Sequence, residues 1–380
     1  MLTTAYIKEF LGNEFDLVGV CPAVTPSGLS NFHEWLDAGY AGEMEYMEQR
    51  RHAYSHPSHV MEGTRSIVML GSKYAQVRPE SKAEVQPIGR IARYARSEYD
   101  YHDVIHKKLK TAKRHFESMD NAARFRGVVD TAPLLEREFA QLAGLGWQGK
   151  NTMLISKTDG SWFFVSALLT NLELEYDTPF EANHCGTCRA CLDACPTDAF
   201  VAPQQLDATK CISYFTIESK SLPAAEWREA IGDWLFGCDV CQEVCPWNRK
   251  PAAYHPFESE QKSPLCESLS DWNLDEMHKI LEISDEEFRV RFRKTPLWRS
   301  KRRGIVRNVL IVLGNLGHPD SLPFLKSALN DDDSMIRATA VWAISLYNGE
   351  DSRIAIEQMA EKEDDSLVLA ELNAINRKNG

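Results

Sequence analysis

Eight of the ten cysteines in this 380-residue chain lie between Cys185 and Cys245, at ligand spacing. The first string, Cys185-Gly-Thr-Cys188-Arg-Ala-Cys191-Leu-Asp-Ala-Cys195-Pro196, is the C-x₂-C-x₂-C-x₃-C-P run with which bacterial ferredoxins hold 4Fe-4S clusters. The second, Cys238-Asp-Val-Cys241-Gln-Glu-Val-Cys245-Pro246, is the same run without its first cysteine, which Cys211 upstream can supply. Three thiolates from one tight loop grip three corners of a cube, and the fourth cysteine opens a helix that turns away towards the other cube. By that logic one cluster takes Cys185, Cys188, Cys191 and Cys245, and the other takes Cys195, Cys211, Cys238 and Cys241. Zinc knuckles would use paired cysteines and have no use for the third in-line thiol or the Cys-Pro endings. Cys21 and Cys266 lie outside the strings and read as structural thiols. Such clusters pass single electrons, so the rest of the chain must hold what they feed.

The elements that position these ligands differ on either side. Residues 1–178 mix strand-like runs, Ser66–Leu70 and Trp162–Leu169, with amphipathic helices. One helix is expected over Ala132–Leu142, opened by Pro133, whose missing N–H costs nothing in a first turn. This half reads as an α/β or α+β domain. Residues 305–380 are helical in pattern, and Arg307–Leu316 aligns with Arg337–Leu346 thirty residues on. Each copy precedes a turn and a second amphipathic helix, the pattern of a short HEAT-type repeat, with a ragged third copy at Leu367–Ile375. The expected division is 1–178, a cluster module at 179–255, a linker and basic helical segment at 256–304, and repeats at 305–380.

A chain that is 43% hydrophobic and 26% charged can bury a core and is neither disordered nor fibrous. It has no apolar run long enough to span a bilayer. The segment Met1–Phe10 carries an acid and lacks the basic and apolar regions of a signal peptide, so a cytoplasmic protein with reduced thiols is expected. A net charge of −12 argues against a uniform nucleic-acid-binding coat and leaves room for a local basic patch.

Gly144-Leu-Gly146-Trp-Gln-Gly149-Lys150-Asn151 matches G-x-G-x-x-G and misses the phosphate-binding P-loop because Asn151 stands where Ser or Thr would bind magnesium. Both motifs need a preceding strand, and the helical stretch Leu134–Leu142 precedes instead. The glycines still allow close backbone approach. A large flat cofactor suits the loop, and a plain tight turn is the alternative.

Several strings in order carry a resemblance: Val128-Val-Asp130-Thr-Ala-Pro133-Leu-Leu-Glu-Arg-Glu138, Ala143–Asn151, Gly160-Ser-Trp-Phe-Phe164, Cys211–Glu218, Phe236–Cys241 and Cys245–Asn248. Together with the HEAT-like tail they resemble the epoxyqueuosine reductases over nearly the whole chain. The resemblance implies an α+β fold: an N-terminal nitroreductase-like cobalamin-binding domain, a ferredoxin-like two-cluster module and C-terminal all-α HEAT-like repeats. It implies cobalamin and two 4Fe-4S clusters that together remove the epoxide oxygen of epoxyqueuosine at the tRNA wobble position, leaving queuosine. Asp130 matches the family's proposed proton donor, and burial beside an apolar macrocycle would keep its carboxyl protonated. An N-cap is the plainer role for it. The cofactor contacts implied are Gly149, Lys150, Asn151, Leu154, Ser161 and Val165, with Arg93 and Tyr94. Asp100-Tyr-His102 starts the usual cobalamin string D-x-H-x-x-G without its glycine, which fits a family whose cobalt takes no histidine from the protein. Where many relatives carry an arginine shortly before Pro57, this chain has Tyr54, so that arginine's contact is not carried over.

Between Arg291 and Arg307 the chain carries eight Lys or Arg and no acid. Arg299, Arg302 and Arg303 are expected to track phosphates, Trp298 to stack on an unpaired base, and Lys220 to stand near the active-site mouth. A solvated basic helix paired with the acidic repeats is the alternative. The expected partners are a tRNA anticodon stem-loop with its wobble base splayed out, and an external electron donor of the flavodoxin or ferredoxin class. Nothing in the sequence demands more than a monomer. A corrinoid reductase of a small organic molecule and an electron-transfer adaptor are the competing functions; the basic segment and repeat tail speak against the first.

Overall fold

The computed structural model describes residues 2–75, 88–250, 264–266 and 271–379. The chain divides into two compact units: 1–80, 97–209 and 239–268 form one, and 81–96, 210–238 and 269–380 the other. This division is interleaved, whereas the sequence suggests serial domains ending at 178, 255 and 304.

The first unit is built on a four-stranded antiparallel sheet in the order Leu17–Pro22, Ser66–Lys73, Phe163–Thr170, Phe125–Val128. The two central strands are the apolar runs singled out in the sequence, and Ser66–Lys73 is buried along all but its last residue. Helices therefore cover both faces. Tyr101–Met119 lies so close to the edge strand that a Cβ on Gly127 would meet Leu109 Cβ at 2.7 Å. On the first strand a Cβ on Gly19 would stand 2.1 Å from the Ala143 carbonyl oxygen, just past the helix Glu136–Leu142. Glycine is what lets each helix lie flat on the sheet. The core here joins Ile67, Met69, Phe139, Ala140, Leu154, Ala167 and Leu169.

The helix expected over 132–142 begins only at Glu136. Asp130 leaves its strand with φ 56°, and Thr131–Leu135 run through bends before the helix can start. Asp130 is thus not an N-cap; Leu135 holds that position. The cysteine strings form two short helices, Ala190–Asp193 and Val240–Glu243, which pack together.

The second unit is almost all helix, with one short parallel pair, Arg90–Ile91 beside Trp234–Phe236. Its central helix Lys301–Leu316 is buried from Gly304 to Gly314 on every face, because helices pack around it, and Gly317 closes it in the left-handed conformation that glycine adopts freely. Leu322–Ala328, Ser334–Ser345, Glu350–Lys362 and Ser366–Asn379 continue the array. The repeat read from Arg307 and Arg337 therefore corresponds to two buried helices of one stack, the first starting at Lys301. The segment read as a linker holds two further helices, Leu274–Leu281 and Asp285–Phe292. No described helix is long and apolar enough to cross a membrane.

Candidate active site

The thiols of the first string feel one another. Burial first, then the charges of Cys245, Cys185 and Cys188, push the Cys191 thiol above its usual value. Cys245 is raised in the same way, by burial and by Cys185 and Cys188, against backbone N–H donors from Trp247 and Asn248. Cys191 and Cys245, held up by burial and by neighbouring cysteines, ionise readily only around a cationic centre, which a cluster's iron supplies. The surroundings fit such a group. Trp147, Phe180 and Trp247 wall Cys185 and Cys245, and the buried Trp147 indole N–H has no partner in the protein. The Ala199 N–H points at Cys195 Sγ from 3.4 Å, the kind of sulfur hydrogen bond that tunes a cluster. Cys21 and Cys266 are buried, and burial pushes Cys21 up to about 12, so it stays an inert thiol.

The glycine-rich string makes a hairpin, Trp147–Gln148 with Leu154–Ile155, and its tip reaches the cysteine strings. Lys150 Nζ donates to the carbonyl oxygens of Gly186 (2.7 Å) and Cys188 (2.8 Å), and Asn151 Nδ2 donates to that of Cys241 (3.2 Å). Ser161 is equally committed: its N–H and hydroxyl meet Asn248 Oδ1, and Gln242 Nε2 donates to its Oγ at 3.0 Å. These three side chains, read as cofactor contacts, brace the cluster loops. Leu154 sits in the core under the sheet, with Val165 half-buried against it. Arg93 and Tyr94 lie in the second unit, Tyr94 against Phe236.

Asp130 lies among polar residues. The Tyr101 hydroxyl donates to its Oδ2 at 2.8 Å, and His102 Nε2 is 3.5 Å from the same oxygen. His102 Nδ1 meets Asp100 at 2.7 Å, and Tyr101 stacks on Phe164 at 4.1 Å, which fixes its direction. Burial disfavours the imidazolium, but the hydrogen bonds and charges of Asp100 and Asp130 outweigh it and lift His102 to about 9. Its folded value lies above its ordinary one, so what it contributes is complete below pH 6.5 and is lost as pH rises through about 9.

Glu136 accepts the Asp130 N–H at 3.0 Å, and burial, then the Asp130 charge, raises its carboxyl to about 8. Arg137 donates to the Thr152 carbonyl; desolvation lowers it although it keeps exposed surface, as does Asp130, 48% open. Asp130 and Arg137 are exposed and Glu136 is half-buried, so a ligand can reach all three. Because the Glu136 value is raised, its ionisation costs stability increasingly from pH 4.5 to about 8. Glu136→Gln, which keeps the acceptor, is therefore expected to be more stable than the parent, by a margin larger at pH 8 than at pH 5. Thermal unfolding at both values checks this.

In the second unit the basic segment is largely spent on internal partners. Arg302 pairs with Asp331 at 2.5 Å and bonds the Ile283 carbonyl, and Arg303 pairs with Asp333. Trp298 has Lys301 Nζ 3.8 Å over its ring and Phe288 stacked beside it. Arg307 is 1% exposed and serves the carbonyls of Phe215, Ser219 and Ser221. Arg299 pairs with Glu218 two residues from exposed Lys220, so these two cations share one corner, while Arg293 and Lys294 stand exposed. The alternative of a basic helix paired with acidic repeats describes Arg302 and Arg303.

Sequence reasoning gave no role to Tyr101, His102, Glu136, Arg137 or Trp147. The signal available was position: Tyr101 and His102 open a helix behind Asp100, and Glu136 and Arg137 follow Asp130 by one short turn.

Cysteine strings of this kind together with an accessible, hydrogen-bonded acid define an iron–sulfur oxidoreductase. Three family models match: "4Fe-4S double cluster binding domain" over residues 184–248, "Epoxyqueuosine reductase QueG, DUF1730" over 55–131, and "HEAT repeats" over 300–376. Epoxyqueuosine reductase of Pseudomonas aeruginosa is 36% identical over 340 residues, 88% of this chain and 91% of that protein. That of Gloeobacter violaceus is 40% identical over 76% of this chain and 87% of its own length. A crystal structure of an epoxyqueuosine reductase with an epoxyqueuosine-modified tRNA-Tyr stem loop superposes with TM-score 0.85 at 28% identity, covering 98% of each chain. The Bacillus subtilis structure, described with its catalytic aspartate loop swung out of the active site, gives TM-score 0.83 at 28% identity, covering 98% and 97%. The chain belongs to the epoxyqueuosine reductase family.

Proposed function

We propose that this chain reduces epoxyqueuosine to queuosine in the anticodon loop of tRNA. The reaction breaks both C–O bonds of the epoxide and forms a C=C bond; two electrons and two protons are consumed and water leaves. The observation that carries this reading is the accessible Asp130, held by Tyr101 and His102 within the unit that also carries Cys185, Cys188, Cys191, Cys195, Cys241 and Cys245. Cys185, Cys188, Cys191 and Cys245 hold one 4Fe-4S cluster, and Cys195, Cys211, Cys238 and Cys241 the other. Cobalamin, when bound, supplies the reducing centre that meets the epoxide. Gly149 and Val165 would hold it on the side of Asp130. Cys188 is exposed, so an external electron donor of the flavodoxin or ferredoxin class meets the protein at that loop.

Asp130 gives a proton to the epoxide oxygen. The Tyr101 hydroxyl orients its carboxyl, and the His102 imidazolium restores the proton from 3.5 Å. Turnover is accordingly expected to fall as pH rises through about 9, where His102 becomes neutral. His102→Gln is expected to be slower and to lack that limb; an unchanged pH–rate profile in the variant would remove His102 from the proton path. On the RNA side, Lys220 and Arg299 meet phosphates at their shared corner, with Arg302, Arg303 and Trp298 shaping the surface behind them.

Anaerobic incubation of epoxyqueuosine-containing tRNA with protein and a strong reductant, with and without cobalamin, tests the whole reading. Mass spectrometry of the digested nucleosides is expected to show loss of one oxygen only when cobalamin is present. No loss, with clusters and bound cobalamin intact, would move the substrate to a different class.

A further inference from the structure

Lys150 carries a fixed positive charge into the first cysteine string. Its Nζ donates to two carbonyl oxygens of one loop, Gly186 at 2.7 Å and Cys188 at 2.8 Å. The loop is closed by the Cys188 N–H on the Cys185 carbonyl (3.0 Å) and by the Cys185 N–H on Asn183 Oδ1 (2.9 Å), yet its tip is open: Gly186 has φ 49°, no atom would meet a Cβ placed there, and Cys188 is exposed. Lys150 itself is anchored from behind, because Gln204 N–H bonds its carbonyl at 2.9 Å and Gln204 Nε2 bonds the carbonyl of Gln148 at 2.6 Å. The ammonium is therefore held by its own hairpin at a defined place beside Cys188. A cube ligated by four thiolates is anionic, and an added electron makes it more so; a cation fixed against its loop favours the reduced form.

We infer that Lys150 is a positioning residue that sets the reduction potential of the cluster held by Cys185, Cys188, Cys191 and Cys245. The inference rests on the proposal that those four thiols hold a 4Fe-4S cluster. Cys241, assigned to the other cluster, meets the same hairpin through the neutral Asn151 amide, so that cluster serves as an internal control.

The test uses the full chain with reconstituted clusters and reads potentials, not turnover. Iron is counted first: parent protein that cannot be loaded with two clusters overturns the cluster assignment itself. Lys150→Gln keeps a hydrogen-bond donor and loses the charge; Lys150→Arg keeps the charge. In a redox titration followed by electron paramagnetic resonance, Lys150→Gln is expected to lower the reduced-to-oxidised ratio of one cluster about tenfold at fixed potential, a shift of about 59 mV for a one-electron couple. Lys150→Arg is expected to stay near the parent. Fully loaded Lys150→Gln with both potentials unmoved, or with both moved equally, would overturn the inference. Iron loss in Lys150→Gln with retention in Lys150→Arg would make Lys150 a cluster-loading residue and overturn it as well.

Discussion

Asp130→Asn is expected to slow oxygen removal by about 10²–10⁴-fold, the usual worth of a positioned general acid, while clusters and fold stay intact. Asparagine is nearly isosteric and still offers an oxygen to the Tyr101 hydroxyl, which donates to Asp130 at 2.8 Å. It also suits the backbone. Asp130 sits at φ 56°, a left-handed conformation that asparagine tolerates at least as well as aspartate. The substitution therefore removes the transferable proton without adding strain, which alanine would not do. Single-turnover measurement with chemically reduced enzyme, scored as nucleoside mass, is the check. A rate within threefold of the parent would take the proton-donor role away from Asp130, and thermal unfolding run alongside separates chemistry from misfolding.

How much of this was legible depended on whether a residue's role is local. The cysteine strings announce themselves because a cluster imposes fixed spacing on consecutive thiols. The central strands were equally legible, since Ile67–Leu70 is a continuous apolar run and Phe163–Leu169 is broken only by Ser166. The start of the helix at Glu136 was not: proline at 133 is a good first-turn residue, and only the left-handed turn at Asp130 postpones the helix. The Lys150–Asn151 loop was recognised as a close-approach device, but its targets are residues more than thirty positions away, so no window of sequence could say that it grips the cysteine loops. Charge misled for a related reason. A run of arginines without acids looks like a solvent-facing patch, yet Asp331 and Asp333, supplied by the neighbouring turn of the helical array, neutralise Arg302 and Arg303. The interleaved division was hidden too, because residues 210–238 leave the cysteine region to pack with the helical unit and return at 239.

Arg307→Met is expected to cost about 3–5 kcal/mol of stability and to lower the unfolding midpoint by about 10 °C. The guanidinium is 1% exposed and spreads its donors over the carbonyls of Phe215 (2.5 Å), Ser219 (2.8 Å) and Ser221 (2.8 Å). It also donates to Asn308 Oδ1 at 3.1 Å, while Asn308 Nδ2 serves Thr216 and Leu235. Methionine fills much of the volume and carries no charge, so the loss is that of unsatisfied carbonyls rather than of a stranded ion. Lysine keeps the charge but not the planar fork and is expected to recover less than half of the stability. The loop so held is the one that carries Lys220, between Ser219 and Ser221, next to the Glu218–Arg299 pair at 2.9 Å. Anchorage and RNA contact then predict different signatures. If Arg307 only anchors the loop, Arg307→Met lowers the midpoint and weakens tRNA binding several-fold with an unchanged dependence of affinity on salt. If it met a phosphate itself, the salt slope would fall by about one while the midpoint held. Its burial and its carbonyl partners favour the first outcome, and an unchanged midpoint with a reduced slope would reverse the assignment.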